Sequence, residues 1–370
     1  MPILLEEDLQ RPLPRMYRVR QQFDETRLED VAGTVRAELA KPEIRALVKP
    51  GMRIAVGVGS RGIQNLYTIV ETTVNSLKEL GAEPFIVSAM GSHGGGTEEG
   101  QREVLAGYGI TEERLGVPVG TTVDTVYLGN GANGRPVWFD RAAYEADLIV
   151  PINRVKLHTD FVGPIQSGLC KMLVIGLGNH KGCSAVHEEA PEVFAGAIEE
   201  TARLILQKAP VGFGIAILEN AYDKTYAVEA VPAEHLVERE KELVQIAKGN
   251  MPYIMLDEAD VIVCGAIGKD ISGAGFDPNI LGRSSVLKQF VLHIPRYQRL
   301  VLCDVTPASH GNGIGVGLFD VITKKVAEQL DLESMYANAI AYNCLGDASV
   351  PCTVDDEETA IRVALKCCRN

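Results

Sequence analysis

Between residues 155 and 187 the chain carries Val155-Lys-Leu-His158, Ser167-Gly-Leu-Cys-Lys171 and His187, set among Gly, Ser and small apolar residues. A lysine can carry a covalently bound cofactor, and a histidine can ligate a metal or move a proton. Lys171 stands between Gly168-Leu-Cys and Met-Leu-Val-Ile. A charged amine is costly to bury in such a setting, so it snorkels, is paired or is chemically used. A covalent linkage would remove the charge and the cost together.

Other groups join this set. Gly91-Ser-His93-Gly-Gly-Gly-Thr97 offers a histidine with no side-chain crowding, beside backbone N–H groups near a helix start. That histidine reads as a general acid/base. Arg61, in Gly59-Ser60-Arg61-Gly62, is a fork donor suited to a carboxylate or phosphate. Arg154, Lys156 and His158 alternate, so on an extended segment they line one wall. His180, Cys183 and His187 follow a His-x2-Cys-x3-His spacing, in which Cys183 and His187 share a face if the segment is helical. A zinc site would need more ligands than are visible nearby. Gly57, Gly59 and Gly62 fit Gly-x-Gly-x-x-Gly loosely. The next strand, Phe85-Ile-Val-Ser, ends without the acidic residue a dinucleotide site uses.

The elements that must position these groups alternate between short apolar runs and longer segments of helical period, the pattern of an α/β fold. Ile54–Val58, Phe85–Val87, Leu148–Val150 and Gly214–Leu218 read as strands. Helices are expected over Leu66–Leu80, from Thr97, where Glu98 and Glu99 follow a cap, and from Pro191 to about Gln207. A charged helical stretch from about Pro232 to Gly249 reads as a domain connector. Beyond it come strands Val261–Gly265 and Arg299–Cys303, with helical runs near 317–331 and 355–368. The expectation is two α/β domains, 1–245 and 246–370, with mainly parallel sheets. The first would carry the chemistry and the second would close an interdomain active-site cleft. In open α/β sheets ligands bind beyond the carboxyl ends of strands. The polar, Gly-rich loops around Ser60, His93, His158, Lys269 and His310 all follow expected strands.

Bulk properties narrow the partners. With 46% apolar and 23% charged residues, a chain of 370 residues can bury a sizeable core. A net charge of −13 argues against nucleic acid or an anionic membrane as partner and leaves a small anionic substrate open. There is no long apolar span and no basic signal segment at the start. The eight scattered cysteines read as reduced thiols, so a cytoplasmic location is expected.

Gly91-Ser-His93 with Thr97, His158 with Ser167-Gly168 and Lys171, and His187 together resemble the nickel-dependent lactate racemase family, the nickel-pincer-nucleotide 2-hydroxy acid isomerases. His187 follows Lys171 at the interval that family keeps between its cofactor-bearing lysine and its nickel-ligating histidine. Ser309-His310-Gly-Asn-Gly313 echoes a loop of its second domain. The resemblance implies a racemase or epimerase working by proton-coupled hydride transfer. Lys171 would be the covalent anchor, His187 the nickel ligand, and His93 and His158 the two acid/bases. Ser60, Arg61, Ser167 and Gly168 would bind cofactor, and Arg61 and Lys269 would bind substrate. Cofactor-assembly proteins would be its partners. An acidic residue of the family's loop is missing at Gly59-Ser60-Arg61, so the resemblance implies a larger or more polar substrate than lactate. Two other readings compete. One is a zinc-dependent hydrolase using His180, Cys183 and His187; the other is a non-catalytic ligand-binding relative.

Overall fold

The computed structural model describes residues 3–60, 62–131, 134–341 and 343–369. It divides into two compact units, Phe23–Met251, and Met1–Gln22 together with Pro252–Asn370. The sequence reading drew its division at 245/246. That point lies within a continuous helix, Leu236–Asn250, and the units divide after the helix instead.

The unit Phe23–Met251 is built on β1 (Arg53–Val58), β2 (Glu83–Ser88), β3 (Val119–Gly120), β6 (Leu148–Arg154), β7 (Phe213–Glu219) and β8 (Thr225–Pro232). A separate hairpin joins β4 (Thr125–Asn130) to β5 (Pro136–Asp140). The main sheet runs β3-β2-β1-β6-β7-β8, parallel throughout except for the β7–β8 pair. β1 and β6 are apolar on both faces because helices cover the sheet, as a parallel sheet requires. The helices that matter to the site are α1 (Leu66–Glu79), α2 (Glu98–Gly107), α3 (Asn179–His187), α4 (Pro191–Lys208) and α5 (Leu236–Asn250). Ile54, Val56, Ile69, Val70, Leu77, Ile86, Val150 and Ile215 are among the residues of one continuous core under the sheet. The expected strands and helices of this unit are present within a few residues. The exception is the supposed connector, since α5 buries Leu236, Val237, Leu243, Val244 and Ala247 and is part of the unit's own packing.

Strand order sets the location of ligands. The chain leaves β1 toward β2 and β3 on one side and continues from β6 toward β7 and β8 on the other. The β1/β6 neighbours are therefore the switch point of the sheet, where the carboxyl-end loops diverge and leave a crevice.

The other unit holds a four-stranded parallel sheet in the order β12-β11-β10-β9, with β9 Glu258–Cys264, β10 Arg296–Leu302, β11 Val321–Thr323 and β12 Cys352–Val354. Its helices include α6 (Lys324–Gln329), α7 (Leu332–Ala341) and α8 (Glu357–Lys366). The helical run expected near 317–331 begins only at Lys324, because the β-branched Val321-Ile-Thr323 pairs as a strand first. Among the described residues no helix is long and apolar enough to cross a membrane.

Candidate active site

Three loops meet at the carboxyl edge of β2, β1 and β6. After β1, Ser60 is hydrogen-bonded through Oγ to His93 Nδ1, and the Tyr108 hydroxyl donates to the Ser60 carbonyl at 2.8 Å. Arg61 lies outside the described residues. After β2, the His93 loop is held by buried Gln101 of α2. The Gln101 amide accepts from Ser88 Oγ at 2.6 Å and donates to the Gly91 carbonyl at 3.1 Å. The same loop leans on the segment that carries Lys171. Gly91 N–H donates to the Gly176 carbonyl at 3.0 Å, and a side chain at Gly91, where φ is +61°, would press on Ile175 O.

After β6 the chain turns at His158. Its N–H donates to Oε1 of buried Gln166 at 2.8 Å, and its ring stacks on Phe161 with centroids 4.2 Å apart. Lys156 and Ser167 exchange backbone hydrogen bonds of 3.0 and 3.2 Å, which closes this loop. Arg154 does not join a wall with Lys156 and His158, since it is ion-paired to Glu219 on β7.

Lys171 ends a single helical turn, Leu169–Lys171, that widens into π-type turns over Met172–Gly176. Wide turns of this kind recur at functional sites. Lys171 Nζ lies 2.6 Å from His158 Nε2. The turn is fixed from below by Glu240 of α5, which is fully buried. Glu240 accepts from Cys170 N–H at 2.8 Å and also from Leu169 N–H, and burial pushes its carboxyl up to about 7 against those hydrogen bonds. Gly168 makes room for it, because a β-carbon there would come within 2.5 Å of the carboxylate carbon. Asn153 Nδ2 ties the Gly168 carbonyl to the end of β6 at 2.9 Å.

α3 then presents His187. Asn179, with φ +50°, opens the helix and donates to buried Asp140 at 2.8 Å. Burial raises the Asp140 carboxyl to about 6 despite that bond and the one from Ala143 N–H. His187 Nδ1 lies 2.7 Å from the Cys183 carbonyl, a contact only the N–H tautomer can make. In the neutral ring this leaves the lone pair on Nε2, the arrangement of a metal-ligating imidazole. Burial pushes the Cys183 thiol up, but the hydrogen bond and charge of His187, with help from Ser92, outweigh it and the thiol falls below its ordinary range. Burial likewise opposes His187 protonation, and the Cys183 contact reverses that and raises it, while a charged Lys171 would work against it. Phe161 and Phe194 form an aromatic bridge, with centroids 4.8 Å apart, that has His158 at one end and His187 at the other.

Lys171 and His158 are thus in direct contact, and His187 is connected to them through the Phe161–Phe194 rings. The His93 loop joins them through Gly91–Gly176 and through Ser92, whose hydroxyl is 3.9 Å from Cys183 Sγ. The zinc set is not assembled. His180 is exposed beneath Gly96, and among the described residues no group of three His, Cys, Asp or Glu side chains is arranged to hold a metal. Lys269 belongs to the other unit, in the loop after β9. It donates to the Gly273 carbonyl at 2.7 Å and is hydrogen-bonded to Asn338. His310, in the same unit, has φ +47° and is exposed. Sequence reasoning missed Gln101, Asp140, Phe161, Gln166, Phe194 and Glu240.

In doubly wound α/β sheets ligands generally bind beyond the strand ends at the switch point, and the loops carrying His93, His158 and Lys171 lie there. The lactate racemase N-terminal domain family matches residues 11–195, half of the chain, and the chain belongs to that family. Among solved structures, the lactate racemase apoprotein from Thermoanaerobacterium thermosaccharolyticum aligns with a TM-score of 0.53 at 13% identity, over 88% of this chain and 91% of that one. A protein from Thermotoga maritima aligns with a TM-score of 0.56 at 12% identity, over 90% of each. At such identities the likeness is one of fold. No curated protein sequence matches the chain.

Proposed function

We propose that this member of a racemase family inverts C2 of a 2-hydroxy acid, with a nickel-pincer nucleotide attached through Lys171 and its nickel held by His187. The observation that carries the reading is the convergence of a primary amine and three imidazoles on one sheet edge of a chain in the lactate racemase family. The donor set suits such a group. Neutral His187, with Nδ1–H on the Cys183 carbonyl, keeps its lone pair on Nε2, and the Lys171 amine stands at the end of a turn anchored from both sides. When bound, the cofactor supplies the acceptor for the hydride that leaves C2.

The protein's own residues do the rest. His158 and His93 take and return the hydroxyl proton from opposite sides of the reacting carbon, which a single base cannot do. Ser60 orients His93 through Nδ1, and Phe161 holds the His158 ring flat. Ser167 and Gly168 shape the cradle beside Lys171, and Ser60 is assigned to the nucleotide. Arg61 is the residue this reading assigns to the substrate's anionic group. A small anionic substrate and cofactor-assembly proteins are the partners this reading requires, and a cytoplasmic setting suits its free thiols.

Intact mass after coexpression with cofactor-assembly proteins tests the anchor. The wild type gains an adduct that maps to Lys171, and Lys171→Ala gains none. Loaded protein then loses deuterium from, or inverts, C2 of one member of a 2-hydroxy acid panel. His93→Ala and His158→Ala each lower that rate about a hundredfold or more, the usual share of a general acid/base. Full turnover by both variants would remove the histidines from the chemistry.

A further inference from the structure

Residues 11–20 run without helix or strand, as a strap on the unit that holds β9 to β12. The strap is tied at both ends. Arg362 of α8 donates to the Arg11 carbonyl at 2.7 Å. At the other end the Gln21 amide donates to the Tyr253 carbonyl at 3.2 Å and accepts from Met255 N–H at 2.6 Å. Every residue of the strap is exposed. Met16 is 88% exposed and Tyr17 and Val19 are each 78% exposed, more than any other large apolar residue among those described. Where Gln21 ties the strap down, Tyr253, Met255 and Leu256 are exposed as well. Single exposed apolar side chains need no explanation, but a group of them marks a surface that another molecule covers.

The charges on this surface come in two halves. The strap carries Arg11, Arg15, Arg18 and Arg20 and no acid, in a chain of net charge −13. Directly after Leu256 the chain presents Asp257, Glu258 and Asp260, all exposed, as β9 begins. Glu258 is paired with Arg296, but both side chains are largely solvated, so that pair is weak and readily exchanged. A nucleic acid or an anionic membrane would meet the arginines and be repelled by the acids. A surface with a basic half and an acidic half, joined by exposed apolar residues, is complementary to itself. That is the requirement of a two-fold contact between identical chains. Tyr, Met and Arg, which recur across it, are the residues enriched at protein interfaces.

We propose that the strap and the start of β9 form a homodimer interface, in which the strap of each copy seats on Asp257, Glu258 and Asp260 of the other. A two-fold axis makes this contact twice, so both straps and both acidic strand starts are covered at once. Residues 11–20 and 253–260 together approach the ~20 residues a side of a standard interface. The ties at Arg11 and Gln21 restrict the strap before it binds, which lowers the ordering entropy that opposes association. Arginine forks suit carboxylates, and Met16, Tyr17 and Val19 leave water in the same event. The interface stands independently of the nickel reading.

Sedimentation velocity on the full chain tests this with nothing added. The wild type should become dimeric as its concentration rises through the micromolar range. Raising salt to about 0.5 M should weaken the dimer about tenfold, because exposed ion pairs are screened. Reversing the strap (Arg15→Glu, Arg18→Glu and Arg20→Glu) or the strand start (Asp257→Lys and Glu258→Lys) should weaken it about a hundredfold or more, since like charges then face each other. An equal mixture of the two variants should dimerise again, because each reversed strap meets a reversed strand start. That recovery, with an unchanged thermal midpoint, separates a lost interface from a damaged fold. Tyr17→Ser should loosen the dimer and leave its salt dependence as it was. A wild type that stays monomeric at about 100 µM overturns the proposal. So does a dimer indifferent to both reversals, or a mixture that stays monomeric. Cosedimentation of a monomeric wild type with phosphatidylserine vesicles, lost on reversing the strap, would assign the strap to a membrane and overturn the proposal too.

Discussion

A methyl group at residue 168 has no room. The backbone there is extended, with φ 173°, a conformation any residue adopts, so the obstacle is contact and not strain. The ideal β-carbon would sit 2.5 to 2.8 Å from three atoms of the buried Glu240 carboxylate. Gly168→Ala should therefore push Glu240 off the N–H groups of Leu169 and Cys170. That costs about 1–3 kcal/mol, as overpacking usually does, and loosens the turn that carries Lys171. Glu240→Ala removes the obstacle along with the anchor. Gly168→Ala should then cost little in the Glu240→Ala background. Denaturant unfolding of the four proteins checks this, and additive losses would place the clash somewhere else. From the sequence, Gly168 was legible as part of a small-residue cradle beside Lys171. What it makes room for was not, because its partner lies far along the chain.

At the scale of elements, α5 shows why that partner was missed. Its stretch Glu238-Arg-Glu-Lys-Glu reads as a solvated face, and Glu238 and Glu242 are indeed exposed. Glu240 shares the apolar stripe of Leu236, Leu243, Val244 and Ala247 at helical spacing, so the stripe itself marked it as inward. Overall charge hid that signal. The loops that carry His93 and His158 were readable because Gly-rich polar runs directly after apolar strands leave few alternatives. Gln101 and Asp140, single polar residues on or beside helices, carry no such mark.

The buried acids make a pH prediction. Glu240 titrates near 7 in the folded chain against a reference of 4.5, and Asp140 near 6 against 3.8, so the folded state holds protons that the unfolded state gives up. Their contribution to stability is complete below the unfolded values and is lost as pH rises through the folded ones. For Glu240 the loss is about 3 kcal/mol between pH 4.5 and just above 7. Glu240→Gln keeps an acceptor for the turn and cannot ionise. Its thermal midpoint should hold steady between pH 6 and 8 where the wild type declines, while both still respond to Asp140 below pH 6. Parallel curves for the two proteins across that upper window would mean Glu240 is not the titrating group.

Over the whole molecule, the two-unit α/β architecture followed from the alternation of apolar runs and helical periods, but the membership of the first residues did not. The helix Glu6–Gln10 is polar and buries none of its own residues. It is held through its flanks instead. Leu4, 7% exposed, packs with Val301, Val363 and Ala364, and Arg362 of α8 donates to the carbonyls of Asp8 and Arg11 at 3.2 and 2.7 Å. One leucine in an acidic lead-in carries no periodic signal, so this closure was invisible in the sequence. It implies that the C-terminal unit draws local stability from the opposite end of the chain. Leu4→Ala should cost about 2 kcal/mol, the lower range for truncating a buried leucine, because the site lies near the surface and can partly collapse. The loss should be local. Hydrogen exchange should speed up in α8 and leave the amides of β1 and β6 at their wild-type rates, since those strands belong to the other unit's core. Equal acceleration in β1 and β6 would show that the chain opens as one cooperative body. A silent α8 would show that the first residues do not close this unit at all.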